Sequence, residues 1–271
     1  MVLADAALTA TLECALVEQR TGWGERRAVV RCQTPRARVD FDPQGLDAAE
    51  REAFARIADR GVADLQALVG PVIGQREERR APVRFVVTAR VDVSQTRGRT
   101  VLLPLRRVKE RRAPYLHEAA HVLLPMRHRS TWLSEGLACY LESWVAENVG
   151  GYDAHVFTRA GNRGIHRAAG RIMRTELGRA VLPWVGAPGE PPGLRQDRER
   201  VARPFYVLAH SFTKHLVEHL GLPAVLRAGA EADPEGSFQR LSGRSLAQWR
   251  AEWLSSAATA ARPRSPEHTL G

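Results

Sequence analysis

The sequence of 271 residues has no long apolar run and few cysteines. No segment approaches the roughly 18 to 20 consecutive apolar residues that a membrane-spanning helix needs, so a membrane protein is not expected. The three cysteines, Cys14, Cys32 and Cys139, are widely spaced, which favours neither a disulfide framework nor a cysteine-based zinc site. We predict that all three are small buried side chains.

The start of the chain also lacks the layout of a secretory signal, in which a basic segment precedes an apolar one. Asp5 comes before the apolar residues, and the first basic residue is Arg20. The sequence therefore predicts a cytoplasmic protein. Hydrophobic residues make up 44% and charged residues 26% of the chain, which is typical of a soluble globular protein rather than a disordered one.

Lysine is nearly absent from a chain of net charge +10, because only Lys109 and Lys214 accompany the arginines. A clustered basic surface would attract nucleic acid. The arginines are instead dispersed, and the densest runs, at 76–80 and 106–112, contain glutamates and lack the interleaved aromatic residues on which single-stranded bases stack. We therefore expect no specific nucleic-acid partner. A basic nucleic-acid-associated protein is the third interpretation, after the two that are given below.

Strand-like runs occur in the first half of the chain, with one helical run between them. The predicted strands are 27–34, 37–42, 83–91 and 100–105. The predicted helix covers 47–69 and stops at Gly70-Pro71. Beyond residue 112 the patterns are helical, beginning with a helix between Pro114 and Pro125. These features predict an α+β chain with a small N-terminal sheet and a helical C-terminal half.

The stretch YLHEAAHVLL, residues 115–124, places two histidines four apart in a helical context. His117 and His121 therefore share one helix face about one turn apart and can bind a single ion. Glu118 lies beside His117, where its carboxylate can take a proton from a water on that ion without being a ligand. Short matches of this kind also arise by chance, so the pattern alone does not establish a metal site. A hydrolytic zinc site also needs a third protein ligand, and finding one would support the assignment.

The third ligand can come from STWLSEGLACYLE, residues 130–142. Ser130 and Thr131 can cap a helix whose first turns contain Glu135. Gly136 follows, and its missing side chain would let this helix approach a neighbouring one. Beside the histidine pair, Glu135 would complete a three-ligand zinc site. Considered alone, it is a solvated carboxylate favoured by the helix dipole.

Together, HEAAH and WLSEGLACYLE resemble the gluzincin metallopeptidases, the thermolysin-like and aminopeptidase-like zincins, and more narrowly the short bacterial peptidase MA-like domains. The resemblance extends over roughly residues 50–254 and includes FYVLAHSFTKHLVEHLG at 205–221. It implies a zincin-like (thermolysin-like) fold. For the whole chain we predict an N-terminal segment 1–20, a single catalytic domain 21–258 and a flexible tail 259–271.

The resemblance further implies a zinc-dependent metallopeptidase that hydrolyses peptide bonds with zinc-activated water. The implied ligands of one Zn²⁺ per chain are His117, His121 and Glu135. Glu118 would be the general base and would return the proton to the leaving amine. Related enzymes stabilise the oxyanion with a downstream tyrosine or histidine, and the candidates here are Tyr206 and His210, of which Tyr206 is preferred.

Other parts of the chain depart from the family pattern or add to it. Thermolysin-like enzymes place an acidic residue four positions after the glutamate ligand to orient a ligand histidine, and Cys139 occupies that position here. The segment 183–203, rich in proline, glycine and charge, is predicted to be a flexible loop, either a lid bordering the cleft or a disordered insertion. The histidines without an expected ligand role are His128, His155, His166, His215, His219 and His268.

The alternative interpretation is a non-catalytic zincin-fold protein that keeps zinc as a structural or binding element. Glu118 favours the enzyme, because a structural zinc site has no use for a carboxylate beside an open coordination position. The expected partner is a peptide or protein substrate, with no membrane partner.

Overall fold

A computed structural model describes residues 12–20, 26–73, 81–124, 126, 128, 130–152, 160–195 and 197–261. The chain divides into two compact units. Unit 1 contains residues 1–124 and 148–155, and unit 2 contains residues 125–147 and 156–271. Among the described residues, no helix has both the length and the apolar character needed to cross a bilayer.

Unit 1 contains a mixed sheet, six-stranded within the described part of the chain, with the strand order β1-β2-β3-β4-β6-β5. The strands are β1 Glu13–Arg20, β2 Arg26–Gln33, β3 Ala37–Phe41, β4 Val83–Thr88, β5 Gln95–Arg97 and β6 Thr100–Pro104. Strands β1 to β3 pair antiparallel, β3, β4 and β6 run parallel, and β5 pairs antiparallel with β6 at the edge.

The four predicted strands are confirmed as β2, β3, β4 and β6, whereas β1 and β5 were not predicted. Both faces of β1 are largely exposed, and even the apolar side chain of Leu16 is 68% exposed. The sequence of β1 therefore shows no alternation that would mark a buried face. Strand β5 has only three residues, which is too short for a recognisable alternation. Strand β1 also occupies part of the segment 1–20 that was predicted to precede the catalytic domain.

Helix α1, Ala48–Ile73, connects β3 to β4. A reciprocal pair of hydrogen bonds between Asp47 and Glu50 caps its start: each side chain accepts from the backbone N–H of the other, at 2.8 and 2.9 Å. Ala58, Val62 and Leu65 are buried on its inner face. The predicted stop at Gly70-Pro71 is wrong, because a proline this close to the helix end interrupts few backbone hydrogen bonds.

Cys14 and Cys32 form a disulfide, so the prediction that the cysteines are only small buried side chains is wrong for this pair. The two residues lie directly opposite each other in the antiparallel register of β1 and β2, with their Cα atoms 4.1 Å apart. The sequence did not indicate this pairing because β1 was not recognised as a strand. Cys139 is buried and is not part of the disulfide.

Helices account for most of the rest of the described chain. Unit 1 adds α2 Leu105–Lys109 and α3 Tyr115–Leu123, and the helices that follow are α4 Thr131–Asn148, α5 Gly161–Ile172, α6 Glu176–Val181, α7 Arg198–Leu220, α8 Leu222–Ala230, α9 Pro234–Ser242 and α10 Leu246–Ala260, with a 3₁₀ turn at Leu182–Trp184. The predicted combination of a small N-terminal sheet and a mostly helical remainder is confirmed.

A stack of aromatic rings forms the centre of unit 2. The ring of Phe212 on α7 lies 5.0 Å from that of Trp132 on α4 and 5.1 Å from that of Trp253 on α10, measured between centroids. All three side chains are almost completely buried. The indole N–H of Trp253 donates to the hydroxyl of Ser211 at 2.9 Å, so its buried donor is satisfied. This stack joins α4, α7 and α10.

Two boundary predictions concern residues beyond this core. Helix α7 begins at Arg198, so it includes the last residues of the predicted loop 183–203, and the flexibility of that loop stays a prediction. Helix α10 continues to Ala260, so it includes the first two residues of the predicted tail, and the tail from residue 262 onward lies outside the described residues. Pro125, which was predicted to end the helix of the histidine pair, also lies outside them.

Candidate active site

Helix α3 carries the first part of the site and is buried along most of its length. Helix α1 approaches it closely at Gly61, where a Cβ atom would lie 2.6 Å from Leu116 and 3.2 Å from Tyr115. Ala119 and Ala120 are buried with almost no exposed surface, and their small size permits tight packing. The backbone that presents His117 and Glu118 is therefore held firmly within unit 1.

His117 and His121 point toward the same place. Their Nε2 atoms are 3.1 Å apart, and their rings lie at 82° with centroids 4.8 Å apart. Two nitrogens bound at about 2.0–2.1 Å to one tetrahedral ion are roughly 3.3 Å apart, so the observed spacing fits a shared zinc ion. His117 is 3% exposed, and His121 is half-buried. The pair therefore has the arrangement expected from the sequence.

Glu118 is buried beside this pair, and its partner was not predicted. The hydroxyl of Thr96, on the edge strand β5, lies 2.7 Å from Glu118 Oε2 and 3.1 Å from the Glu118 carbonyl oxygen. Because Thr96 has one hydroxyl proton, it donates to one of these oxygens at a time. The contact fixes the orientation of the carboxylate. Sequence reasoning missed Thr96 because strand β5 itself was missed.

Glu135 lies in the second turn of α4, in unit 2, and is half-buried. It lines a cavity of about 600 Å³ together with His128, Gly189, Glu190 and Arg195. Arg195 and Glu190 form an ion pair across 2.5 Å. Part of the predicted loop 183–203 thus borders the cavity that Glu135 lines. The role of Glu135 as a zinc ligand stays a prediction.

Gly136 explains how α4 is positioned. A Cβ atom at this residue would lie 2.2 Å from Thr213 Oγ1 and 2.7 Å from the Ala209 carbonyl oxygen, both on α7. Only glycine lets the two helices pack this closely. The predicted close approach of a neighbouring helix at Gly136 is confirmed, and that neighbour is α7.

Cys139 occupies the position where thermolysin-like enzymes have an acid. Burial raises the pKa of its thiol well above the usual value, and the charges of Glu142 and Glu135 raise it further. The thiol is therefore neutral at physiological pH and does not replace the missing carboxylate. Glu142, seven residues after Glu135 and on the same helix face, is an acidic side chain of α4 that is only 3% exposed.

The two oxyanion candidates, Tyr206 and His210, lie one turn apart on α7 and are both buried. His210 is completely buried, and its Nε2 is 2.7 Å from Asn162 Oδ1. The amide nitrogen of Asn162 donates in turn to the Tyr140 carbonyl oxygen at 3.2 Å. His210 is thus engaged in a buried network that joins α5 and α7, and the choice between Tyr206 and His210 stays a prediction.

Three further side chains of the kinds that bind metals come together in unit 2, and they were not predicted as a group from the sequence. His215 and His219 on α7 converge with Glu252 on α10, and the donor atoms of the three side chains lie within 4.8 Å of one another. Neither histidine was expected to be a ligand of the His117/His121 site, and here they form a group of their own with Glu252. The spacing of four residues on one helix was a usable signal for the histidines, whereas nothing in the sequence indicated Glu252.

Neither a protein-family model nor a curated protein matches the chain. Among solved structures, the chain is similar to an M1 zinc metallopeptidase from Deinococcus radiodurans, crystallised as a glutamate-to-alanine mutant bound to a Tyr-Ser-Ala substrate. The identity is 17% and the TM-score 0.45, and the match covers 94% of this chain and 53% of that one. The chain thus spans about half the length of that enzyme, and a likeness of this degree assigns no function.

Proposed function

We propose that the protein is a zinc-dependent peptidase with a zincin-like (thermolysin-like) fold. The proposed ligands of its zinc ion are His117, His121 and Glu135. The observation that carries the proposal is the histidine pair on α3, whose Nε2 atoms are 3.1 Å apart beside a buried glutamate. Two imidazoles and one carboxylate are a ligand set used by hydrolytic zinc sites, which keep the fourth position open.

Glu118 is the proposed general base. When bound, zinc supplies a Lewis acid that lowers the pKa of water and polarises the carbonyl group of the substrate. The Glu118 carboxylate takes the proton from water and then delivers it to the leaving nitrogen. Since Thr96 contacts Oε2, the other oxygen, Oε1, is the proposed site of proton transfer.

Tyr206 is the proposed donor to the oxyanion. A phenolic O–H that meets the negative charge developing on the carbonyl oxygen acts mainly in the transition state. His210, whose Nε2 contacts Asn162, is the second candidate. The proposed substrates are peptides, since amide hydrolysis is the chemistry that this combination of groups serves.

The alternative is a zincin-fold protein that binds zinc without catalysis. The contact between Thr96 and Glu118 supports the enzyme, because it holds in place a buried carboxylate that has no role in a purely structural zinc site. The same contact would have no evident purpose if the zinc only stabilised the fold.

Metal analysis combined with cleavage of a mixed peptide library tests the proposal. The wild type should hold zinc and cleave peptides. Glu118→Gln should keep the fold and the metal while losing about a hundredfold or more of the cleavage rate, the usual scale for a lost general acid–base. The exposed Glu110 provides a matched control, and Glu110→Gln should leave the rate unchanged.

Three results would count against parts of this scheme. Zinc without cleavage of any library peptide would support the binding protein instead. Unchanged cleavage in Glu118→Gln would remove Glu118 as the base. Full zinc occupancy of the α3 histidines in Glu135→Ala would remove Glu135 as a ligand.

A further inference from the structure

Three side chains in unit 2, distinct from the proposed zinc ligands, converge from two helices. His215 and His219 lie one turn apart on α7, with ring centroids separated by 4.3 Å. The Oε1 atom of Glu252, on α10, lies 3.2 Å from His219 Nε2 and 3.9 Å from His215 Nε2. Two imidazole nitrogens and one carboxylate oxygen therefore face a common point.

His215 contributes a buried nitrogen that nothing else in the described structure satisfies. The side chain is 3% exposed, and Nε2 has no hydrogen-bond partner among the described residues. Its distance of 3.9 Å from Glu252 is too long for a hydrogen bond. A buried polar atom left in this way costs free energy unless a further group binds to it.

The orientation of His219 also suits a metal ligand. Its Nδ1 lies 2.8 Å from the carbonyl oxygen of His215, so the Nδ1–H donates to that oxygen. With the proton on Nδ1, the neutral ring presents the lone pair of Nε2 toward His215 and Glu252. Metal-binding histidines commonly have their other nitrogen held in this way by a backbone carbonyl or a carboxylate.

Glu252 is held by a separate contact. Arg244 donates to its Oε2 at 2.6 Å and also lies 3.9 Å from the centre of the Trp249 ring. This leaves Oε1 directed toward the histidines. Trp249 flanks both of them, at 6.1 Å from His215 and 5.4 Å from His219 between ring centroids. The carboxylate orientation is therefore set by residues outside the ligand group.

We propose that His215, His219 and Glu252 form a second metal site, which binds one divalent transition-metal ion such as Zn²⁺. Nitrogen-rich sets of this kind select zinc and its neighbours over calcium and magnesium, which prefer oxygen ligands. Ligands on one tetrahedral ion are about 3.3 Å apart, whereas these donor atoms lie within 4.8 Å of one another, so their separations must shorten by up to about 1.5 Å to close around the ion. His219 and Glu252, at 38% and 37% side-chain exposure, have room to move.

The second site serves to hold α7 and α10 together rather than to hydrolyse a substrate. Glu218 precedes His219, the place where a general base would be expected, but its carboxylate is bound to Lys214 and lies 2.9 Å from His166 Nε2. Both contacts turn it away from the ligand group. An ion bound by two helices of unit 2 stabilises that unit, because it binds the folded chain and not the unfolded one.

The competing explanation is a simple ion pair between a protonated His219 and Glu252, without metal. It accounts for the distance of 3.2 Å between them but not for the unsatisfied Nε2 of His215. An ion pair makes no demand on His215 and gives no saturable zinc binding. Metal binding by the full-length chain therefore separates the two explanations.

Zinc titration of the full-length, metal-stripped protein by calorimetry tests the site, with His121→Ala used to disable the other proposed site. Wild type should bind two zinc ions and His121→Ala one. Adding His219→Gln to His121→Ala should weaken the remaining binding by about a hundredfold or more, a larger loss than removal of an outer hydrogen-bond partner gives. Adding His166→Gln instead is the matched control, because this histidine lies nearby on α5 without belonging to the group, and it should leave that binding intact.

Thermal unfolding gives a second measurement that does not depend on counting ions. Zinc should raise the Tm of His121→Ala but not that of His121→Ala/His219→Gln. A chain that loses all zinc binding with His121→Ala, or one whose zinc persists in His121→Ala/His219→Gln, would overturn the second site. If the wild type binds a single zinc that His219→Gln removes and His121→Ala does not, the second site holds and the proposed peptidase centre fails.

Discussion

The hydroxyl of Thr96 lies 2.7 Å from the Oε2 atom of Glu118. This contact joins the edge strand β5 to helix α3, and the same hydroxyl is 3.1 Å from the Glu118 carbonyl oxygen. A catalytic carboxylate works only when it lies within reach of the proton that it transfers, and small displacements cost rate. The short strand β5 thus has a positioning role in the proposed reaction.

Thr96→Val should lower kcat by roughly tenfold with little change in KM, because the carboxylate loses its orienting contact but substrate binding is unaffected. Thr96→Ser keeps the hydroxyl and should restore most of the rate. Thr100→Val, on the neighbouring strand β6, is the matched control. Steady-state kinetics on one cleaved peptide measure all three, and an unchanged kcat in Thr96→Val would contradict the positioning role.

Tyr206→Phe and His210→Gln should fail in different ways. Loss of an oxyanion donor at Tyr206 should lower kcat on the order of a hundredfold. His210→Gln should instead lower the free energy of unfolding by about 1–3 kcal/mol, since it disturbs the buried contact with Asn162. Kinetics and urea denaturation distinguish them, and the reverse pattern would assign the oxyanion to His210.

The disulfide between Cys14 and Cys32 predicts a specific thiol count. No cysteine of the native protein should react with a thiol reagent. Cys14 and Cys32 are bonded to each other, and burial both raises the pKa of the Cys139 thiol and keeps the reagent from reaching it. Denaturation without reductant should expose one thiol, and denaturation with reductant should expose three. Disulfides persist in oxidising compartments, so three thiols in the unreduced denatured protein would show that the disulfide does not form where the protein is made.

Stability of the metal-free protein should fall as the pH is lowered from about 6.5 to 4. Burial, assisted by the nearby charge of His219, lowers the pKa of His215 to about 4, against about 6.5 in an unfolded chain. Between these values the unfolded chain binds more protons, so the stability is full above the window and is lost as the pH falls through it.

His215→Gln should flatten this dependence. Urea denaturation with a chelator, at several pH values between about 4 and 7, compares the slopes of wild type and variant. The carboxyl groups of Glu218, with a pKa lowered to about 2, and Glu252, whose pKa is also lowered, act mainly below this window. Parallel slopes would show that His215 does not titrate as described.

Gly136→Ala should lower the free energy of unfolding by about 1–3 kcal/mol, because the added carbon overlaps Thr213 and the Ala209 carbonyl. Gly164→Ala, in α5, is the matched control. There a Cβ atom meets only the side chain of Ala160 at 3.4 Å, an ordinary contact, so the better helix propensity of alanine should raise stability by up to about 1 kcal/mol. Urea denaturation of both variants tests the difference, and equal effects would contradict the close helix packing.

Local sequence patterns predicted those strands and helices whose own residues show the periodicity of a buried face. The strands β2, β3, β4 and β6 have buried, β-branched positions, and α1 has apolar residues at helical spacing. The histidine pair on α3 was predictable for the same reason, since both side chains lie on one helix. The close packing at Gly136 was also predictable, because only a glycine removes the steric barrier between helices.

Features that depend on distant residues were not predictable from those patterns. The disulfide requires the register between β1 and β2, and β1 has no buried face to reveal it. Thr96 reaches Glu118 only because β5 pairs at the edge of the sheet. Glu252 meets His215 and His219 through the packing of α10 on α7, which no spacing along the chain records.

The tight fit of Gly136 has a consequence for genetic screens. In a library that carries every substitution, each replacement at codon 136 adds a side chain where α7 leaves no room. A screen that scores only peptide cleavage would therefore rank this position with Glu135 and Glu118 and would suggest that it is catalytic. Scoring protein abundance in the same library separates them: variants of Glu118 should accumulate normally, whereas variants of Gly136 should be depleted before any chemistry is measured.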